Sequence, residues 1–168
     1  MHSVDLADLA DTSSPGSVLR LVIFGIESQR YALHLPVVER VLRVVEVSPL
    51  PKAPSTVLGV INLYGQIIPV LDLQRRFGRS SNKYGLTSFL LVARTNRRRL
   101  ALLVDEVVGV QEVAADSVTA PEAVLPGIAF VAGIVALSDG ILFIHDLDTC
   151  LSLDEEQQLT EALEEKPA

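Results

Sequence analysis

The sequence is short of the residues that chemistry needs. Its 168 residues hold one cysteine, three histidines, one methionine and no tryptophan. Cys150 has no second cysteine to bridge, so an intramolecular disulfide is excluded and a reducing compartment fits. No apolar run reaches the roughly 18 residues that a membrane-spanning helix needs. The N-terminal MHSVDLADLADTSSPGS places acids where a secretion signal carries bases. These absences predict a cytoplasmic protein that is not inserted in a membrane. Aromatic residues make up 5% of the chain and the net charge is −7. A basic footprint and stacking rings for nucleic acid are therefore missing. The exception is Arg97, Arg98 and Arg99, which fit a solvated hairpin tip.

The same poverty argues against catalysis. His2 lies in the polar N-terminus, His34 ends an expected strand, and His145 is expected to point out of one. Neither strand histidine has a cysteine or second histidine at metal-ligand spacing. Asp105 and Glu106 are consecutive, so in an extended strand they face opposite ways and do not converge on a substrate. Cys150 in Asp-Thr-Cys-Leu has the setting of a small buried apolar residue. No P-loop, dinucleotide fingerprint or nucleophile elbow occurs. The chain is expected to bind rather than catalyse, without cofactor or metal.

What the sequence has is apolar residues, 49% of the total, in short runs rich in valine, isoleucine and leucine. Leu19–Ile26 and Arg30–Leu35 flank Glu27-Ser28-Gln29, and Phe89–Ala93 and Leu100–Val104 flank Arg94–Arg99, so both predict hairpins. Gly59–Leu63 and Gln66–Leu71 meet at Tyr64-Gly65, and Gly133–Leu137 and Ile141–Ile144 meet at Ser138-Asp139-Gly140, a strong turn signal. Pro49, Pro51 and Pro54 keep Ser48–Pro54 out of a sheet interior. Pro36–Leu42 predicts a short helical turn started by its proline. Ser152 and Glu155 form a capping box ahead of Leu159, Ala162 and Leu163, which predicts a short amphipathic helix with its acids facing water.

The chain also repeats itself. Arg30-Tyr31-Ala32-Leu33 matches Arg99-Leu100-Ala101-Leu102 at an offset of 69, where Val38, Val41 and Val44 fall on Val107, Val110 and Val113. Gly59–Leu63 matches Gly133–Leu137 at an offset of 74. Each half has about five short strands, too few to be very stable alone, so two small barrels packed together are expected. The expected division is a disordered tail at 1–17, one domain at 18–150 and an acidic helix and tail at 151–168. Within the domain, subdomain 1 is placed at about 19–85 and subdomain 2 at about 86–150.

Gly59-Val60-Ile61-Asn62-Leu63-Tyr64-Gly65-Gln66-Ile67-Ile68-Pro69-Val70-Leu71-Asp72-Leu73 resembles the G-V-[IL]-N-L-R-G-x-I-[IV]-P-[IV]-x-D-L signature of CheW-like proteins. Leu102–Val107 resembles their L-x-V-D-x-V element, Tyr31-Ala32-Leu33 with Val38 and Val41 resembles the region after their first hairpin, and the Gly133–Leu147 hairpin is similar too. The resemblance implies a mostly β fold: two intertwined five-stranded SH3-like barrels around a shared core, plus a short C-terminal helix. It implies a non-catalytic adaptor that holds no cofactor and links methyl-accepting chemoreceptors to a CheA-type histidine kinase. One subdomain would pack on the kinase, and the receptor's helical tip would lie in a groove between the barrels. Val38 and Gly59 would line that groove. Arg40, Asn62, Tyr64 and Gly65 are the other candidates for partner contact. Two positions depart from the family pattern: its signature arginine is Tyr64 here, and its usual glutamate is Arg40. An Arg40–Tyr64 cation–π contact is expected in place of an ion pair, with altered partner specificity as the consequence. Other outcomes compatible with the sequence are a scaffold of a non-flagellar pathway, such as pilus motility, and a tandem barrel binding a small molecule or nucleic acid.

Overall fold

In a computed structural model, residues 17–76, 87–121 and 131–164 are described. The expected disordered tail lies almost wholly outside them. The strands are β1 (Val18–Ile26), β2 (Gln29–His34), β3 (Val38–Arg43), β4 (Val57–Leu63), β5 (Gln66–Leu71), β6 (Phe89–Arg94), β7 (Arg99–Val104), β8 (Glu106–Ala114), β9 (Val131–Leu137) and β10 (Gly140–His145). A single helical turn, α1 (Leu73–Arg76), follows β5, and the longer helix α2 (Leu153–Glu164) follows β10. The four expected hairpins form within a residue or two of their predicted limits.

The strands make two five-stranded sheets, ordered β8-β1-β2-β10-β9 and β3-β6-β7-β5-β4. Each curls into a small SH3-like barrel. The expected split near residue 85 does not describe them. The first sheet takes β1 and β2 from the N-terminal half and β8, β9 and β10 from the C-terminal half. The second takes β6 and β7 from the C-terminal half and the rest from the N-terminal half. Each repeat has lent its first hairpin to the other. The reason lies in edges: a two-stranded hairpin exposes unpaired backbone on both sides. Here β2 finds β10 in parallel, Ala32 opposite Ile144, and β7 finds β5 in parallel, Ala101 opposite Val70. The sequence repeat is thus a structural one, with exchange.

Its irregularities repeat as well. β3 steps from Val38 to Arg40 against consecutive residues of β6, leaving Glu39 as the bulged residue. β8 steps from Val107 to Gly109 against β1, leaving Val108 at the equivalent place. The valine-periodic element that was expected to be a helical turn is therefore strand in both copies. The helical part shrinks to one 3-10 turn, Leu35–Val37, with Pro36 at its start. The β-branched valines that follow pair with β6, where branching at Cβ is favourable.

Alternation divides the apolar residues among three clusters. Leu21 and Ile23 fill one barrel with Val135, Leu142 and Ile144. Leu90, Val92 and Ala101 fill the other with Ile61, Ile68 and Val70. Val22, Phe24 and Ile26 of β1 face the opposite way and meet Leu91, Leu100, Leu102 and Val104 at the seam between the barrels. Cys150, Leu151, Leu159 and Ala162 close that seam. Cys150 is buried, as expected. His145 is not outward-facing: it is 2% exposed, its ring 4.9 Å from that of Tyr31. His34 is half-buried, and desolvation holds its imidazole below its ordinary pKa against an opposing pull from Asp146.

The capping box forms as expected. Glu155 N–H donates to Ser152 Oγ at 3.1 Å, and Ser152 N–H donates to Glu155 Oε1 at 3.0 Å. Ser152→Ala should cost about 1 kcal/mol of stability in chemical denaturation, the usual loss for a serine cap. Not every acid of α2 faces water. Glu156 is 5% exposed and accepts a hydrogen bond from Arg98 Nε at 3.0 Å. Arg98 also donates from Nη2 to Thr160 Oγ1 at 2.6 Å. The arginine run is therefore not a solvated tip throughout: Arg98 pins α2 to the β6–β7 hairpin. Gln158 Nε2 ties α2 to the carbonyl of Lys52, in the proline loop, at 3.1 Å.

Candidate partner-binding site

The sequence candidates fall at and below the tip of the β4–β5 hairpin. Asn62 ends the strand face of β4, and its Oδ1 accepts the Gly65 N–H at 2.8 Å. This bond holds a two-residue turn in which Tyr64 has φ 51° and Gly65 has φ 85°. Such turns suit a hairpin's twist but need a left-handed backbone at both positions. Glycine adopts it freely, whereas tyrosine does so at a cost of about 1 kcal/mol. That backbone holds the Tyr64 side chain out at the tip, 86% exposed. Asn62 and Gly65 shape the turn; Tyr64 is the residue it displays.

Arg40 reaches toward this tip from β3, with its guanidinium carbon 5.4 Å from the centroid of the Tyr64 ring. The expected cation–π contact is therefore present, worth about 0.5–1 kcal/mol at an exposed site. The bulge on β3 supplies what the sequence did not disclose. Consecutive strand residues normally point to opposite faces, but an inserted residue breaks the alternation. Glu39 and Arg40 accordingly line one hollow of about 300 Å³, together with Leu63, Tyr64, Gln66, Val92 and Arg99.

The Glu39 carboxylate is spoken for. Arg99 Nε lies 2.9 Å from Oε1, an ion pair without hydrogen-bond alignment, and Arg94 Nη2 donates to Oε2 at 3.3 Å. Arg99 also donates to Gln66 Oε1. Arg40 has no carboxylate partner among the described residues. So the acid that position 40 lacks is present one residue earlier, turned into the hollow by the bulge and held by two other arginines. Glu39, Gln66 and Arg99 were missed as site residues. The repeat carried a signal for Arg99, the counterpart of Arg30, which itself pairs with Asp139 at 3.1 Å beside the β9–β10 turn.

Val38 and Gly59 do not line this hollow. Val38 is 4% exposed and belongs to the seam cluster. Gly59 is buried, with the Ser48 carbonyl directly over it. None of the described residues of α2 lines the hollow. No helix among the described residues is long and apolar enough to cross a membrane.

A CheW-like domain model matches residues 20–155, which take in all ten strands but for the first two residues of β1. The chain belongs to the CheW-like family. The chemotaxis protein CheW of Treponema pallidum (strain Nichols) is 28% identical over 148 residues, covering 83% of this chain and 86% of that protein. The chemotaxis protein CheW of Rhizobium meliloti (strain 1021) is 25% identical over 139 residues, covering 82% and 90%. The crystal structure of the scaffolding protein TtCheW from Thermoanaerobacter tengcongensis superposes with a TM-score of 0.74 at 29% identity, over 82% of this chain and 94% of that one. The CheW signature, residues 59–73, is the β4–β5 hairpin that carries the Tyr64 tip. Its glycines, asparagine and alternating apolar residues form the turn and the barrel wall; Asn62, Gly65, Gln66 and Ile67 are exposed around the tip, and Tyr64 is its most exposed large side chain.

Proposed function

We propose that the protein is a non-catalytic adaptor that couples methyl-accepting chemoreceptors to a CheA-type histidine kinase in a cytoplasmic chemosensory assembly. The observation that carries this is the family match across residues 20–155. The distribution of side chains supports it. The cysteine and the strand histidine His145 are buried in apolar surroundings, and among the described residues no cluster of histidine, cysteine and acidic side chains could hold a metal. The surface instead offers features suited to another protein: an exposed tyrosine on a hydrogen-bonded turn and an arginine with no acid partner among the described residues.

The test is reconstitution. The purified chain, the kinase of the same genome and a soluble fragment carrying the tip of a cognate receptor should form a ternary complex on size-exclusion chromatography. Receptor control of kinase autophosphorylation should appear only when the chain is present. A kinase that answers to the receptor fragment equally well without the chain would rule the adaptor role out.

A further inference from the structure

We propose that the hollow beneath the β4–β5 tip seats a carboxylate side chain of the partner protein on the Arg40 guanidinium, against the face of Tyr64. The inference rests on the adaptor role for the identity of the partner; its chemistry comes from the hollow itself.

The charges decide the sign. Three guanidiniums, those of Arg40, Arg94 and Arg99, stand around one carboxylate, that of Glu39. Glu39 is already shared by Arg94 and Arg99, so Arg40 is left over. The net charge of −7 lies in the terminal segments; residues 18–150 carry 13 bases and 12 acids, so the body of the protein does not repel an acidic partner. Arg40, with no carboxylate partner among the described residues and set against an exposed tip, is the place where an acidic side chain gains most. A guanidinium presents paired donors that match a carboxylate. The Tyr64 ring limits the directions that Arg40 can take, which lowers the ordering cost of binding. The Tyr64 hydroxyl adds a donor at the rim. The hollow suits a single side chain rather than a large ligand. Tyr64, 86% exposed, is covered only by a surface laid across the tip, which favours a protein over a free small acid.

The repeat makes the same point independently. At the equivalent place in the other barrel, Val108 stands for Glu39 and Gly109 for Arg40, and the turn carries Ser138 and Asp139 where this one carries Tyr64 and Gly65. There Arg30 is taken up by Asp139. Val108 and Val110 are exposed and apolar. The two places share a strand bulge but differ in turn backbone and in chemistry, so an acidic contact fits the Arg40 side and not its counterpart. That fixes which barrel, and in which orientation, the partner meets.

The experiment measures binding of the full chain to two purified probes, the receptor-tip fragment and the regulatory domain of the kinase, by titration calorimetry. Arg40→Glu should weaken binding to one of them by about tenfold or more, because it replaces attraction with like-charge repulsion. Arg40→Gln should weaken it less, and Arg40→Lys least. Added salt should weaken binding of the unaltered chain more than that of the Arg40→Gln variant. An acid-to-lysine substitution on the affected probe should restore binding to Arg40→Glu. Thermal unfolding of each variant separates misfolding from loss of contact. Equal affinities of Arg40→Glu and the unaltered chain for both probes would overturn the inference and leave the adaptor role standing. Binding of neither probe by the unaltered chain would overturn both.

Discussion

Gly59→Ala should lower stability by about 3 kcal/mol, whereas the matching change Gly133→Ala should cost about 1 kcal/mol. Each glycine is the third residue of the strand that opens the second hairpin of its repeat, and each lies under a segment bridged to that strand. Ser48 exchanges two backbone hydrogen bonds with Val60, each 2.8 Å. Thr119 exchanges two with Ile134, at 2.8 and 2.9 Å. The difference lies in what a methyl group would meet. At Gly59 an added Cβ falls 2.3 Å from the Ser48 carbonyl oxygen and 2.9 Å from its carbon, atoms of the bridging strand itself. That strand must move, and its two hydrogen bonds go with it. At Gly133 the near atom is a methyl of Val118, at 2.4 Å, while the Thr119 carbonyl oxygen is 3.9 Å away. A side-chain rotation relieves that clash and leaves the backbone bridge in place. Denaturation midpoints of the two variants at equal m-values check the order. An equal or larger loss at Gly133 would mean that close backbone approach is not what fixes glycine at 59. Because the β4–β5 hairpin carries Tyr64, Gly59→Ala should also weaken partner binding through displacement of the tip, with no contact of its own removed.

Arg98→Ala should cost about 3 kcal/mol, the usual penalty for stranding a buried charge. The Arg98 side chain is 17% exposed and that of Glu156 is 6% exposed, so their ion pair is shielded from solvent. Removing the arginine leaves the Glu156 carboxylate against the apolar seam and removes the bond to Thr160. Removing the acid instead, as Glu156→Gln, keeps an acceptor for Arg98 and should cost less, about 1 kcal/mol. The double variant Arg98→Met with Glu156→Leu should recover most of the loss, because apolar groups of similar size often replace a buried pair at little cost. Chemical denaturation of the unaltered chain and the three variants ranks these losses. Amide exchange adds where the loss falls: protection should drop first in α2, which the pair ties to the β6–β7 hairpin. Retention of full stability by Arg98→Ala would show that the apolar stripe of Leu159 and Ala162 suffices to dock the helix.

These two cases show where the sequence was informative. Gly59 was legible as a strand residue because glycine before alternating apolar residues follows a local rule, although the strand begins two residues earlier, at Val57. Its close contact with Ser48 was not, since that depends on a segment eleven residues away folding back. Ser152, Glu155, Leu159 and Ala162 spelled out a helix and its buried stripe through spacing alone. Glu156 sits among acids that face water, and only the position of Arg98 in space makes it buried. The same limit applies to the hollow. Tyr64 and Arg40 stood out as departures from the CheW pattern. Glu39 did not, because a bulge, unlike regular alternation, leaves no periodic mark. The repeat was visible at constant offsets of 69 and 74, yet those offsets say nothing about which copy a strand pairs with. Pairing is settled by edges that meet after folding, so the halves of the sequence were legible and the halves of the structure were not.

The exchange of hairpins bears on how the chain is made. Synthesis runs from the N-terminus, so β1 and β2 emerge first and can close their own turn at Glu27 and Ser28. Their outer edges wait for β8 and β10, the latter ending at His145. Until most of the polypeptide has left the ribosome, this first hairpin carries a buried-type face, from Leu21 to Ile26, with nothing to cover it. Truncated or stalled chains therefore present open strand edges to one another. The barrel that holds β1 and β2 is completed only by β8, β9 and β10, from the other end of the domain.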